Sequence, residues 1–311
     1  MCSDLRVDSL PPALALMKPA PFAYETAPDL AGALDLLARH GGEAKVLAGG
    51  QSLVPLLNFR LARPSALIDI NGVDELDYVR VDGEIARLGA LVRHARLEGS
   101  NELASRVPLL REAVRHVGHA QIRNRGTIGG SVAHADPAAE LPAVLCTLDA
   151  SFRLRSVRGD RRLDWTEFFR GALETALDPD ELLTEIEVRL PAAGSGQAFC
   201  EFARRRGDFA IGGAAAVVTL AGDGTCARAR LGLLSAAAVP VRARSAEELL
   251  EGRRVDEAAA SGAADEAVRD LSPPGDIHGG PTFRRRVIRE LVRRALLAAS
   301  SRAASPAEGC A

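Results

Sequence analysis

The sequence predicts an α+β fold, and three observations support this prediction. Within residues 45–70, an apolar run, a Gly-Gly turn, a helical segment and a second apolar run follow one another, as in a parallel β–α–β unit. Residues 76–163 contain two pairs of strand-like runs around Asp-Gly and Gly-Asp dipeptides, which indicate hairpins. Residues 198–234 contain three more strand-like runs, and helical segments follow them. Hairpins mixed with helices are typical of α+β domains.

The first predicted helix begins after residues 26–29. Thr26 is a candidate N-cap, Pro28 suits the first turn, and Asp29 adds an acid near the positive end of the helix. An apolar stripe follows, and the Gly-Gly pair at 41–42 ends the helix. The β–α–β unit then consists of a strand at 45–48, a turn at 49–52, a short helix at 53–61 and a strand at 66–70.

The middle of the chain predicts hairpins and helices. In chain order these are a hairpin of 76–81 and 84–88 around Asp82 and Gly83, helices at 108–117 and 138–148, a hairpin of 151–157 and 161–163 that turns at 159–160, and a strand at 181–189. The segment PAAGSG at 191–196 predicts a linker.

The C-terminal part predicts three strands and then helices. The strands are at 198–203, 214–220 and 227–234, and the helices are at 245–250, 255–268 and 282–299. Six apolar residues form one stripe along the last helix, namely Phe283, Val287, Ile288, Leu291, Val292 and Leu296. The arginines of this helix, including Arg284, Arg289 and Arg293, lie mainly off the stripe. They predict a solvated face, and docking of a partner chain is the alternative.

Composition limits the classes of function. A chain of 311 residues is long enough for two or three domains, and a net charge of −2 with 4% aromatic residues argues against a nucleic-acid partner. None of the five cysteines belongs to a Cys-x-x-Cys pair, which argues against an iron–sulfur or zinc site and favours reduced thiols in a cytoplasmic protein. No apolar run reaches the roughly 18–20 residues of a transmembrane segment. Residues 1–16 do not resemble a signal peptide, and we expect a disordered tail or an over-long start before Met17.

Two glycine-bearing segments are the strongest candidates for a binding site. The first, KVLAGGQSL at 45–53, can bend sharply, so that its backbone N–H groups approach an oxygen closely, and Ser52 adds a donor. Such a turn suits a pyrophosphate, and a tight turn without a ligand is the alternative. The segment matches neither a GxGxxG fingerprint nor a Walker A loop.

The second segment, RGTIGGSVAHADP at 125–137, repeats this arrangement with Thr127, Gly129, Gly130 and Ser131. Asp136 and Glu140 are candidate acceptors for ribityl or ribose hydroxyls; as alternatives, they cap the next helix and complement its dipole. A metal site made of His116, His119 and His134 is disfavoured, because the surrounding Gly, Arg and Thr fit an anion better than a cation.

A third run, at 204–209, reads RRRGDF. It is either a charged turn or a loop that places Phe209 against a planar ring, with arginines near a phosphate or a partner chain. No independent catalytic constellation is visible in the sequence, which favours a bound cofactor that performs the chemistry.

These motifs resemble one family. Residues 45–71 and 123–145 resemble the first and second FAD motifs of the flavoprotein (medium) subunits of molybdenum hydroxylases, the carbon monoxide dehydrogenase and xanthine dehydrogenase family. FARRRGDFA at 202–210 and FRRRVIRELVRRAL at 283–296 resemble the C-terminal domain of these subunits, with less specific motifs. The resemblance runs from about residue 17 to residue 302.

The resemblance implies a fold and its domains. The fold is the two-lobed FAD-binding fold of p-cresol methylhydroxylase and vanillyl-alcohol oxidase, followed by a C-terminal domain with a three-stranded antiparallel sheet and a helical bundle. The domains are an N-terminal tail (1–16), FAD-binding subdomain 1 (17–75), FAD-binding subdomain 2 (76–192), the C-terminal domain (197–302) and a second tail (303–311).

The resemblance also implies a set of FAD-binding residues. The first segment contributes Val46, Leu47, Ala48, Gly49, Gly50, Gln51, Ser52 and Leu53 around the pyrophosphate. The second contributes Thr127, Ile128, Gly129, Gly130 and Ser131. Glu140 aligns with an acid at the ribityl chain, Val117 and Phe209 lie against the isoalloxazine, and Leu183 lies near its dimethylbenzene side. Gln51 departs from the family, where many relatives have His.

The implied function is electron transfer. The chain receives electrons from an iron–sulfur small subunit, which serves a molybdopterin-containing large subunit, and passes them through FAD to an external acceptor. The expected assembly is a doubled heterotrimer. The substrate and the acceptor do not follow from the sequence. Two rival hypotheses are a stand-alone FAD-dependent oxidoreductase of the same fold and a non-redox nucleotide-binding protein.

Overall fold

A computed structural model describes residues 18–304. The predicted tail at 1–16 and residues 305–311 lie outside the described residues. The strands are β1 Ala23–Thr26, β2 Ala44–Leu47, β3 Ala66–Asp69, β4 Val79–Asp82, β5 Ile85–Gly89, β6 Ser151–Ser156, β7 Gly159–Asp164, β8 Phe169–Gly171, β9 Glu174–Thr175, β10 Leu182–Arg189, β11 Gly196–Phe202, β12 Gly212–Leu220, β13 Cys226–Leu234 and β14 Val241–Arg242.

Most of the helices are short. They are α1 Leu30–His40, α2 Leu53–Asn58, α3 His94–Gly99, α4 Asn101–Arg106, α5 Pro108–Val114, α6 Ala120–Arg125, α7 Ile128–His134, α8 Glu140–Thr147, α9 Trp165–Phe168, α10 Arg244–Leu250, α11 Glu257–Val268 and α12 Pro281–Ala304. No helix among residues 18–304 has both the length and the apolar character that crossing a bilayer requires.

The N-terminal part is a parallel sheet in the order β1–β3–β2, with α1 packed on its apolar residues. The predicted β–α–β unit is confirmed as β2–α2–β3. The predicted N-cap was wrong, because Thr26 ends β1 and pairs with Asp69 in β3. Asp29 caps α1 instead, and its side chain accepts from the Gly32 N–H at 2.7 Å. Gly41, with a φ of 56°, ends α1 as predicted.

The middle part contains an antiparallel sheet in the order β4–β5–β10–β6–β7. The first predicted hairpin is confirmed as β4–β5, with Gly83 in the left-handed region at a φ of 59°. The second hairpin forms too, but its predicted turn was wrong by two residues, because Ser156 pairs with Gly159. Asp160 therefore lies in β7, where its carboxylate accepts from Arg153 and Arg155.

The largest hydrophobic core lies between this sheet and helices α3, α4, α5, α7 and α8. Phe152, Phe168 and Phe169 pack together in it, with ring centroids 4.5–5.7 Å apart. The sequence did not predict α3, α4, α6 and α7. Each has six or seven residues, which is too few for a 3.6-residue apolar period to stand out.

The C-terminal part is an antiparallel sheet in the order β11–β12–β13–β14, covered by α10, α11 and α12. The resemblance implied three strands, whereas the described residues form four, because β14 pairs two residues with β13. Arg284 was wrongly assigned to a solvated face. It is 5% exposed and donates to the Ile211 carbonyl at 2.8 Å and to Asp276 at 2.6 Å. The residues that carry the hydrophobic core of α12 are Ile288, Leu291, Val292, Ala295, Leu296 and Ala299.

A buried ion pair joins the C-terminal part to α8. Arg242 donates to both carboxylate oxygens of Glu247, at 2.7 and 2.8 Å, and to Asp149 at 2.6 Å. It also donates to the carbonyl of Cys146 in α8 at 3.2 Å. Burial of the Arg242 guanidinium opposes its charge, but its hydrogen bonds to Glu247 and the negative charges of Glu247 and Asp149 outweigh this effect and raise the Arg242 pKa.

Replacing Arg242 by Ala should lower the free energy of unfolding by about 3–5 kcal/mol, because the Glu247 carboxylate stays buried without its partner. Urea-induced unfolding measures the change. Arg289→Ala is the control, because it removes a bidentate pair with Asp265 on an exposed helix face and should cost about 1 kcal/mol or less. Equal losses in the two variants would contradict this account of the ion pair.

A candidate flavin site at two glycine segments

The first glycine segment forms a turn with free donors at the end of β2. Among the described residues, no hydrogen bond is donated by the backbone N–H groups of Gly49, Gly50, Gln51 and Ser52. Gly50 lies in the left-handed region with a φ of 73°, and its carbonyl accepts from the Val54 N–H at 3.0 Å. Successive N–H groups in a turn that includes a left-handed residue form an anion-binding concavity. Such a concavity suits a phosphate group, and the binding of a pyrophosphate at this segment stays a prediction.

The second glycine segment has a different structure from the expected one. It is the start of helix α7, with Thr127 as the N-cap, whose hydroxyl accepts from the Gly130 N–H at 3.1 Å. The Ile128 and Gly129 N–H groups donate to the carbonyls of Val92 and Ala90, at 3.0 and 2.9 Å. The expectation that both segments offer free backbone donors was therefore wrong. The second segment retains its hydroxyl groups, Thr127 and Ser131, as donors.

The two segments touch at Gly49. A Cβ atom on Gly49 would lie 2.5 Å from the Arg125 carbonyl oxygen and 2.8 Å from the Gly126 Cα. Both neighbours are backbone atoms, which cannot move aside as a flexible side chain can. Glycine at this position therefore lets the turn after β2 approach the segment that precedes α7.

Asn71 and Arg93 connect the two segments by hydrogen bonds. The Asn71 side-chain amide donates to the Ala48 carbonyl at 2.9 Å, and its oxygen accepts from Arg93 at 2.7 Å. Arg93 also donates to the Arg125 carbonyl at 2.5 Å. The sequence analysis missed both residues. The sequence did contain a signal for Asn71. This residue follows β3, and the glycine segment follows β2; because the ends of parallel strands meet at one edge of the sheet, the two are expected to lie close together.

Asp69 orients this connection. Its carboxylate accepts from the Asn71 backbone at 2.8 Å and from the Asn71 side chain at 2.6 Å, and it also accepts from the Tyr24 hydroxyl. Burial acts to raise the Asp69 pKa, but the hydrogen bonds from Tyr24 and Asn71 and the charge of Arg125 outweigh it, so the pKa is lowered. An ionised carboxylate therefore fixes the Asn71 amide.

A neutral histidine packs behind the second segment. His94 is 4% exposed, and neither ring nitrogen has a hydrogen-bond partner among the described residues. Burial lowers its pKa to about 4, with help from Arg123 and Arg93; the nearby Thr127 backbone opposes this shift without reaching hydrogen-bond geometry. A Cβ on Gly126 would lie 2.8 Å from the His94 Nδ1, so this segment also depends on a small residue at the contact.

The other predicted site residues differ in exposure. Phe209 is 70% exposed, whereas Leu183 is 3% exposed and belongs to the main hydrophobic core. Val117 is half-buried against the same core. Glu140 is buried at the start of α8, and burial, together with the charge of Glu201, raises its pKa to about 8. The half-buried residues of the first segment are Val46, Leu47, Ala48, Gly50, Ser52 and Leu53, and Gln51 is exposed.

Comparison with known proteins gives a consistent result across the chain. The family model described as the FAD binding domain in molybdopterin dehydrogenase matches residues 20–192. The model of the CO dehydrogenase flavoprotein C-terminal domain matches residues 197–299. The chain belongs to this flavoprotein family. The family suggested by the two glycine motifs is thereby confirmed.

Individual relatives are similar to this chain over almost all of the residues that the structure describes. The chain is 46% identical to the 6-hydroxypseudooxynicotine dehydrogenase complex subunit alpha of Paenarthrobacter nicotinovorans, over 92% of this chain and 97% of that protein. It is 36% identical to the carbon monoxide dehydrogenase medium chain of Afipia carboxidovorans, over 92% and 99%. A chain of quinoline 2-oxidoreductase from Pseudomonas putida 86 matches with a TM-score of 0.89 and 38% identity, over 92% and 99%.

Replacing Gly49 by Ala should destabilise the flavoprotein by about 1–3 kcal/mol, because the new methyl group overlaps the Arg125–Gly126 backbone. Chemical unfolding measures this loss. Gly72→Ala is the matched control, since a Cβ there meets nothing within 4 Å and should change the stability by less than about 0.5 kcal/mol. A Gly49→Ala variant as stable as the control would show that the two segments do not touch.

Replacing Glu140 by Gln should change how stability depends on pH. Because the folded state raises the Glu140 pKa to about 8, it binds more protons than the unfolded state between the ordinary pKa of 4.5 and 8. The wild type therefore loses stability as pH rises through this range, and the variant lacks this loss. Chemical unfolding at pH 5 and pH 8 measures this effect. The free energy of unfolding of the variant, relative to that of the wild type, should be higher at pH 8 than at pH 5. Glu248→Gln, at an exposed position, is the control, and its stability relative to the wild type should be the same at both pH values. An equal pH response of the two variants would contradict the raised pKa of Glu140.

Proposed function

We propose that the chain binds FAD with its pyrophosphate at the first glycine segment. The observation that carries this proposal is the run of four free backbone N–H groups at Gly49 to Ser52. An FAD pyrophosphate bears negative charge, and a concavity of N–H groups stabilises such charge without requiring a basic side chain. Membership of a family of FAD-binding domains supports the same cofactor.

The remaining predicted residues take the roles that the family resemblance implies; Thr127 and Glu140 are 2% and 7% exposed. Thr127 and Ser131 face the cofactor through their hydroxyl groups, and Glu140 lies at the ribityl chain. Phe209, an exposed aromatic side chain, stacks on the isoalloxazine from one side, and Val117 contacts it from another. Leu183 is buried, so we propose that it belongs to the apolar layer on which the dimethylbenzene ring packs.

We further propose that the first two-thirds of the chain forms the two-lobed fold of the p-cresol methylhydroxylase type. Subdomain 1 is 17–75, subdomain 2 is 76–192, and the C-terminal domain is 197–302. The separate parallel and antiparallel sheets on either side of residue 75 support this division.

The proposed role of the chain is electron transfer within a multi-subunit molybdenum hydroxylase. Bound FAD would accept electrons and release them in pairs, and the protein would hold and orient it. The partners are an iron–sulfur small subunit and a molybdopterin-containing large subunit, assembled as a doubled heterotrimer. The similarity to a dehydrogenase complex subunit and to carbon monoxide dehydrogenase medium chains supports this role.

Two experiments test this function in turn. The absorbance spectrum of the purified chain should show flavin bands, and acid should release FAD. In the purified complex, substrate should bleach those bands. A colourless chain that takes up no added FAD would overturn the proposal, and flavin that stays oxidised in the complex would overturn the electron-transfer role.

Replacing Phe209 by Ala should weaken FAD binding about 5- to 150-fold, which corresponds to the loss of about 1–3 kcal/mol of aromatic stacking. The fold should remain intact because the side chain is 70% exposed. Fluorescence titration of the flavin-free chain with FAD measures the affinity. Phe59→Ala, with a side chain 67% exposed at the far end of α2 from the glycine turn, is the control and should leave the affinity unchanged. Equal affinities in both variants would remove Phe209 from the site.

A further inference from the structure

Arg93 carries a positive charge between the two glycine segments without a carboxylate partner. Its guanidinium donates to the Arg125 carbonyl at 2.5 Å and to the Asn71 side-chain oxygen at 2.7 Å, and both acceptors are uncharged groups. No carboxylate of the described residues lies within ion-pair distance of this guanidinium. Arg96, on the helix that follows, shows the commoner arrangement, because it pairs with Asp77 at 2.7 Å.

The surroundings of Arg93 make this unpaired charge costly. The side chain is half-buried, and burial, followed by the charge of Arg125, lowers the Arg93 pKa; Asp77 and Asp69 oppose this shift from beyond ion-pair distance. The Asp69 carboxylate accepts from the backbone and the side chain of Asn71 instead. A guanidinium nevertheless stays protonated in a protein, so its partly buried charge favours the binding of a negative group nearby.

Two successive hydrogen bonds link this charge to the first glycine segment. The Asn71 side chain that accepts from Arg93 also donates, through its amide nitrogen, to the Ala48 carbonyl at 2.9 Å. Ala48 directly precedes the four free backbone N–H groups of the turn. The other acceptor, the Arg125 carbonyl, is the atom that a Cβ on Gly49 would approach to 2.5 Å. The unpaired charge and the free N–H groups therefore lie at the same junction, and both favour an anion.

We propose that Arg93 makes the site selective for a phosphorylated flavin over an uncharged one. The proposal rests on the proposed FAD site and assigns the charge that recognises the pyrophosphate. Arg93 is a positioning residue for the turn, because it acts on Ala48 through Asn71, and its positive charge stabilises an anion bound at the free N–H groups. Riboflavin has the same ring system but no phosphate, so it gains nothing from this charge.

The ratio of the riboflavin Kd to the FAD Kd tests the proposal. Fluorescence titration of the flavin-free full chain measures both constants at low ionic strength. In Arg93→Gln the ratio should fall about tenfold, as expected when one partly buried charge near an anion is removed. Arg93→Lys keeps the charge but not the two-armed donor geometry, and it should retain most of the ratio.

Arg106→Gln is the matched control for these variants. Arg106 is exposed at the end of α4 and, like Arg93, donates to a backbone carbonyl, that of Gly83 at 3.0 Å in the β4–β5 turn. Its replacement removes the same charge from the chain at a position outside the junction of the two segments. The ratio of the two Kd values should therefore equal that of the wild type.

Each outcome decides for or against the proposal. An unchanged ratio in Arg93→Gln would overturn it, and so would equal losses in Arg93→Gln and Arg93→Lys, because Arg93 would then act through its hydrogen bonds alone. A wild type that binds FAD keeps the proposed FAD site even if the role of Arg93 fails, whereas a wild type that binds no FAD overturns both.

The wild type keeps the test decisive if Arg93→Gln does not fold. Its ratio should fall in about 1 M NaCl, where the screening length is only about 3 Å. A ratio that does not depend on salt would show that no charge of the protein recognises the phosphates, and the proposal would be wrong.

Discussion

The site depends on one close backbone contact, between Gly49 and the segment Arg125–Gly126. This contact brings the turn after a parallel strand against the junction between α6 and α7, which lies about eighty residues later in the chain. Asn71 and Arg93 then hold the two segments together, and the ionised Asp69 holds Asn71. A larger residue at position 49 would separate the segments, and the hydrogen bonds that span them would lose their geometry.

The two glycine segments perform different tasks, although their sequences are alike. The first keeps four successive backbone donors free, which is costly unless an anion or water satisfies them. The second uses its donors within the protein, because Ile128 and Gly129 bond to the chain at 90–92. The second segment is held by these internal hydrogen bonds, and the first segment packs against its backbone. Glycine is needed in the first segment for the close contact at Gly49 and for the left-handed conformation of Gly50. In the second segment it is needed for close packing, because a Cβ on Gly129 would lie 2.5 Å from the Ala90 Cβ.

The sequence predicted those features whose signals are local. The β–α–β unit, the hairpin at Gly83 and the helix end at Gly41 each follow from a few adjacent residues, and the two glycine segments indicated the family. Strand β1 was missed because Ala23–Thr26 has no apolar alternation and is held by pairing with β3, some forty residues away. Arg284 was misassigned because its partners, Ile211 and Asp276, become neighbours only in the fold. The Asn71–Arg93 connection was missed for the same reason.

Amide hydrogen exchange, resolved by residue and measured with and without FAD, tests the central claim most directly. The account predicts that FAD slows exchange at Gly49, Gly50, Gln51 and Ser52, whose N–H groups are free in the chain alone. Exchange at Ile128 and Gly129 should already be slow without FAD and should change little. If FAD binds while exchange in the first segment stays fast, the pyrophosphate does not lie at this turn, and the proposed division between the two segments is wrong.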